Sequence, residues 1–272
     1  MGSEPQDFEQ LTEQFFRRGW CRFAHDPGIE SWVRQALPDA RASLTSPEQR
    51  QWHRCGGTWF AGVNALANRA DGGVNGSGPL SGSVVDFINQ KLALPDFEWD
   101  QAQVSVCYPG YPKPMEGESG GAFRYRRERD AAHVDGLLPE GSARRRHLRE
   151  HHGFILGLPM VSFGEQAAPF VVFEGSHEQV RSALSSRFDG LAPECWGEQD
   201  ITEVYHRVRR DIFESCARTE IFARPGEAYL VHRLTLHGIA PWEQSATAGD
   251  DGRMICYFRP DIGDPEAWLH LP

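Results

Sequence analysis

QAQVSVCY, residues 101–108, alternates apolar and polar side chains. A period of two is the mark of a strand with one face toward a core. The texture of the chain changes here. Downstream come AAHVDGL (131–137), GFILGLPMV (153–161), APFVVFEG (168–175), RTEIFA (218–223), EAYLVH (227–232) and RMICYFRP (253–260), short runs separated by Gly, Pro and charged turns. Upstream the pattern is helical. Phe8, Leu11, Phe15 and Phe16 predict an amphipathic helix over 5–20 that Gly19 can end, and a second helix is expected over 28–44. SPEQRQWHR (46–54) predicts a third, with Ser46 as N-cap, Pro47 at the first position and Gln49 closing a capping box. At least seven short strands behind a helical N-terminal part predict a mainly β fold with some α: a β-sandwich or jelly roll with helices packed on one outer face.

Between these parts lies a Gly-, Asn- and Ser-rich stretch, 55–83, that carries Trp59 and Phe60. It reads as a surface loop or as a lid over a substrate. A helical insertion is expected near 178–216, clearest where Ile201, Val204, Tyr205, Val208, Ile212 and Phe213 share one face. No repeat or linker divides the chain. The expected organisation is one domain over 1–272, with 1–100 as helical support and loops and 101–262 as the β core.

The chain has 272 residues and a net charge of -10, which argues against non-specific attraction to nucleic acid or to an anionic membrane. None of the six cysteines forms a C-x-x-C pair, so zinc-ribbon and thioredoxin-type readings fail. Buried free thiols in a reducing compartment are expected. MGSEPQDFEQ has no hydrophobic signal region, and the longest apolar stretch is too short to span a bilayer. A cytoplasmic protein acting on a small molecule is the expectation; nothing in the sequence signals an oligomeric state.

His133 and Asp135 stand two positions apart in AHVDG, so a strand would put them on one face. Alone, an H-x-D pair is weak. It gains meaning with a distant histidine, because two histidines and one carboxylate form the facial triad that holds iron(II) and leaves three positions open. His237, in VHRLTLHG, follows Asp135 by 102 positions, with room for several strands between them. His232 is the alternative. His177, in EGSHE, reads as structural.

AHVDG, APFVVFEGSHE, GEAYLVHRLTLHG and RMICYFRP occur in an order that resembles the iron(II)/2-oxoglutarate dioxygenases of the phytanoyl-CoA dioxygenase-like group. The resemblance covers roughly residues 100–260. It implies a double-stranded β-helix (jelly roll, cupin-like) core, with Fe(II), 2-oxoglutarate and O2 as cofactor and co-substrates. By position it implies His133, Asp135 and His237 as iron ligands, with Gly238 matching the family's His-Gly. It also implies Arg253 as the anchor of the 2-oxoglutarate distal carboxylate, a role the planar guanidinium fork suits independently. Arg259 shares the strand parity of Arg253 and is its alternative. Tyr108 is a weaker candidate for contacting 2-oxoglutarate, because a long segment separates it from His133; Gln103 and Ser105 on the same strand can serve instead.

The resemblance further implies hydroxylation of an unactivated C–H with release of succinate and CO2. The related halogenases lack the carboxylate, so Asp135 points away from halogenation. Two arginine clusters, FRYRRERD (123–130) and ARRRHLREHH (143–152), flank the H-x-D. They read as solvated charge or as a lure for an anionic substrate bearing carboxylate, phosphate or coenzyme A, with Arg127 and Arg129 the first to test. The competing classes are a cupin-type metalloenzyme without 2-oxoglutarate, which has no need of Arg253, and a non-enzymatic jelly-roll binding protein.

Overall fold

A computed structural model of the chain describes residues 6–272. Residues 1–5, where the acidic N-terminus and the first expected helix were read to begin, lie outside them. The first part contains α1 (Phe8–Arg18), β1 (Trp20–Phe23), α2 (Pro27–Ser43), β2 (His53–Arg54), β3 (Trp59–Phe60) and α3 (Ser83–Lys91). Asp7 caps α1 by accepting from the Glu9 N–H at 2.9 Å. Gly19 ends it in the left-handed region, at φ 82, where a side chain would be strained. The expected helix at 46–54 is instead a 3-10 turn over Pro47–Trp52. The Ser46 hydroxyl goes to the Glu48 carboxylate and caps no backbone N–H. The turn fully buries no residue and only Trp52 packs partly on the core, so little packing stabilises a regular α-helix there.

The second part runs β4 (Gln103–Cys107), α4 (Gly120–Glu128), β5 (Leu137–Glu140), β6 (Arg145–Leu148), β7 (Phe154–Pro159), β8 (Phe170–Phe173), α5 (Ser176–Phe188), α6 (Thr202–Ser215), β9 (Arg218–Ile221), β10 (Ala228–His232), β11 (His237–Ile239), β12 (Arg253–Phe258) and α7 (Pro265–His270). The strands form an antiparallel sheet of seven, in the order β1-β10-β7-β12-β4-β3-β2, a sheet of three, β11-β8-β9, and the ribbon β5-β6. The fold is a mixed α and β one. Among the described residues no helix is long and apolar enough to cross a membrane.

Strand parity sorts the core into layers. Leu156, Leu158, Leu230, Met254, Cys256 and Phe258 face α1, α2 and α3. Their neighbours Ile155, Tyr229, Val231, Ile255 and Tyr257 face Phe170 and Val172 of the small sheet. Val171 and Phe173, on its far side, face α5, α6 and α7. Helices therefore cover both outer faces, not the one face expected. The reason lies in the strands: β7, β8, β10 and β12 are buried at every position, and a strand apolar on both sides needs cover on both. Each large apolar side chain so buried contributes about 1.5–3 kcal/mol.

Candidate metal centre

The H-x-D segment is not a regular strand. His133 makes one isolated bridge to His237, each N–H donating to the other's carbonyl at 2.8 and 3.0 Å. That bridge joins residues 104 positions apart and lies at the edge of the small sheet, on β11. It requires a close backbone approach. A Cβ on Gly238 would stand 2.1 Å from the Asp130 carbonyl oxygen, so glycine is the residue that fits. From the other side, the α6 residue Tyr205 accepts the Val134 N–H at 3.2 Å.

His133, Asp135 and His237 offer ligand atoms that all lie within 4.8 Å of one another. The orientation of both rings is set locally. Nδ1 of His133 lies 3.0 Å from the Ala131 carbonyl oxygen, and Nδ1 of His237 lies 2.9 Å from that of Thr235. A carbonyl can only accept, so each Nδ1 donates a proton there, and Nε2 is the nitrogen of each ring turned to the site. Those two Nε2 atoms face the Asp135 carboxylate at 3.2 and 3.7 Å. Phe170 stacks on the His237 ring, with centroids 5.4 Å apart. Burial pulls the His237 pKa down to about 4 despite Asp135. Burial would raise the Asp135 pKa, but Arg259, His237 and His133 hold it well below the usual carboxylate range. Two imidazole nitrogens and one carboxylate are a donor set for a divalent transition metal.

The three residues open on a cavity of about 340 Å³ between the sheets. Trp59, Gln103, Ser105, Tyr257 and Arg259 also line it. Gln103 gives its amide N–H to the Ala61 carbonyl at 2.7 Å, and Ser105 accepts from the Trp59 indole at 3.2 Å. Trp59 belongs to β3 and so to the sheet; the rest of 55–83 is anchored by the buried Leu66, Val74 and Leu80. Arg259 donates to Asp135 at 3.3 Å.

Arg253 is fully buried. On β12 it shares the inner face with Tyr257, whose hydroxyl accepts from Nη2 at 2.9 Å. Its Nε and Nη1 have no hydrogen-bond partner, and among the described residues it makes no ion pair. Tyr257, which pattern reading missed, links this guanidinium to the cavity. Its signal was available: it lies four residues beyond Arg253, on the same strand face. Tyr108 lies elsewhere. Parity turns it to the helical side of β4, where it packs at the edge of the first core layer. His232 is also remote, beside His177 at 4.8 Å between ring centroids.

The structure resembles solved ones. The chain is similar in fold to SnoN and SnoK. SnoN is a non-heme alpha ketoglutarate dependent epimerase from nogalamycin biosynthesis, 15% identical, with a TM-score of 0.50, covering 93% of this chain and 82% of that one. SnoK, a non-heme alpha ketoglutarate dependent carbocyclase from the same biosynthesis, is 12% identical with a TM-score of 0.53, covering 95% of this chain and 87% of that one. SnoN has also been solved in complex with Fe3+, alpha ketoglutarate and nogalamycin RO. At these identities the likeness is one of fold. No family model matches the chain, and no curated protein matches it.

Proposed function

We propose that the protein is a non-haem iron(II)/2-oxoglutarate-dependent oxygenase built on a single double-stranded β-helix domain of the phytanoyl-CoA dioxygenase-like type. In this reading it hydroxylates an unactivated C–H of a small molecule. His133, Asp135 and His237 would hold the metal, and Arg253 would hold the distal carboxylate of 2-oxoglutarate. The observation that carries the reading is the Arg253 guanidinium. A buried cation with two unpartnered nitrogens costs several kcal/mol, and a carboxylate ligand is the partner whose shape and charge offset that cost. A cupin-type metalloenzyme that does not use 2-oxoglutarate has no such need. A protein that merely binds a structural metal would not need the adjoining cavity.

When bound, iron(II) and 2-oxoglutarate supply oxidation of a C–H bond by dioxygen, coupled to decarboxylation of the 2-oxoglutarate to succinate. The chain's own groups do the positioning. The carbonyls of Ala131 and Thr235 hold each Nδ1 and so aim each Nε2 at the metal position. Arg259 orients Asp135. Tyr257 fixes the direction of the Arg253 fork. Trp59 and Phe170 give the cavity an apolar wall beside the metal position.

Anaerobic addition of iron(II) and 2-oxoglutarate should give a weak visible metal-to-ligand charge-transfer band, with succinate released on admitting oxygen. His133→Ala, Asp135→Ala and His237→Ala should each abolish the band and keep a cooperative melt by circular dichroism. Absence of both band and succinate in the folded wild type would remove the proposal.

A further inference from the structure

We propose that the groove leading out of the triad cavity binds an anionic group, a carboxylate or a phosphate carried on an apolar small molecule, and that Arg144 and Arg146 grip it. As a statement about substrate this rests on the oxygenase reading above. As a binding site it rests on shape and charge alone.

The cavity and a second groove of about 560 Å³ share Trp59, Val63, Arg126, His133, Asp135 and Arg259, so the two are continuous. The groove runs beneath the β5-β6 ribbon. One part of its wall is apolar, made by Leu137, Leu138 and Pro139. Leu138 is the large hydrophobic side chain left exposed among the described residues, at 39%. The rim carries Arg144 and Arg146.

Most of the charge around the groove is already matched. Arg259 pairs with Asp135 at 3.3 Å, Arg126 with Glu118 at 2.6 Å, and Glu150 with His152 at 3.0 Å. The ribbon's other arginines, Arg145 and Arg149, find Asp200 and Glu140. Alternation along β6 turns Arg145 to Asp200 and Arg146 to the groove, and Arg144 lines the groove from the turn before β6. Among the described residues Arg144 and Arg146 make no ion pair. Arg146 stands over the Tyr205 ring at 4.9 Å and gives one N–H to the Leu137 carbonyl. Arg209 stands over the same ring at 5.2 Å and over Tyr125 at 4.6 Å, also without a carboxylate. Burial, and then the guanidiniums of Arg209 and Arg144, pull the Arg146 pKa below its ordinary value despite the Tyr205 hydroxyl. A chain with net charge -10 thus leaves positive charge unmatched beside its reactive centre. An incoming anion relieves it, and two guanidinium forks match carboxylate or phosphate oxygens. Arg127 and Arg129 are not part of this site: the first pairs with Glu128 at 2.7 Å and the second lies over Phe213 at 4.8 Å.

The test is calorimetric titration of the metal-free protein with octyl phosphate, octanoate and octanol. The anions should bind at least tenfold tighter than octanol, and whichever binds tighter names the anion. The Arg144→Gln/Arg146→Gln double variant should lose at least tenfold in anion affinity. Arg253→Gln, which removes the buried guanidinium of β12, should leave octyl phosphate affinity within twofold. Arg144→Gln alone, on the turn, keeps the test open if Arg146→Gln fails to fold; it should cost about threefold. Octanol binding as tightly as the anions, or unchanged anion affinity in the arginine variants, or loss of octyl phosphate binding in Arg253→Gln, would overturn the proposal. Because no metal is present, failure here leaves the charge-transfer band untouched, and an absent band leaves the anion titration untouched.

Discussion

Two backbone carbonyls decide the chemistry open to His133 and His237. By taking the Nδ1 protons, Ala131 and Thr235 leave both Nε2 atoms toward Asp135. The residue types of this triad were legible in the sequence, because they carry the chemistry themselves. The tautomers were not, since a carbonyl two positions back is present for every histidine and only the folded backbone aims it. Arg253 was singled out through the family resemblance, whereas its hydrogen bond to Tyr257 depended on side-chain reach. Arg253→Gln should keep the fold, because it removes a buried charge that has no carboxylate partner. Losing charge-assisted bonds worth about 1.5–3 kcal/mol should weaken 2-oxoglutarate binding by about 10- to 100-fold, read from titration of the charge-transfer band. Unchanged 2-oxoglutarate affinity would leave Arg253 without the proposed role.

The elements around the site hold it through few contacts. α6 reaches the H-x-D segment through the Tyr205 hydroxyl, which accepts the Val134 N–H between the two proposed ligands. Tyr205→Phe strands that buried N–H. It should lower stability by about 1–3 kcal/mol in urea denaturation and weaken metal binding as well. A stability loss with metal affinity intact would show that α6 supports the fold and not the site. The apolar face of α6 was readable from its helical spacing. The hydroxyl's partner was not, because the residues are 71 positions apart. The 46–54 segment makes the converse point: its cap residues suit a helix, yet only Trp52 packs partly on the core and no residue is fully buried, and it remains a 3-10 turn.

At the scale of the molecule, helices on both outer faces bury two histidines far from the metal centre. His177 and His232 are almost wholly buried, and Nε2 of His232 lies 3.0 Å from an Arg181 nitrogen. Burial, reinforced by Arg233 and Arg181, holds the His232 pKa well below the ordinary 6.5. Burial likewise lowers that of His177. Both folded values lie below the unfolded one, so as pH falls the unfolded chain takes up protons first. The stability these groups supply is present above about pH 6.5 and is lost on going below it. Between pH 7.5 and 5.5 the pair should cost about 1–3 kcal/mol, seen as a lower urea midpoint, and His177→Gln/His232→Gln should flatten that slope. An equal slope in wild type and variant would place the acid sensitivity elsewhere.

By itself the sequence determined the helices α1, α2 and α6, the main strand runs with their inner and outer faces, and the residue types able to hold a metal. Each of these follows from local periodicity or from the chemistry of one side chain. Only the tertiary structure decided that helices cover both sheets, that Tyr108 faces away from the cavity and that Arg144 and Arg146 stand unmatched beside it. Those outcomes depend on which distant surfaces meet. Periodicity can say that a face is apolar or charged, but only packing selects its partner.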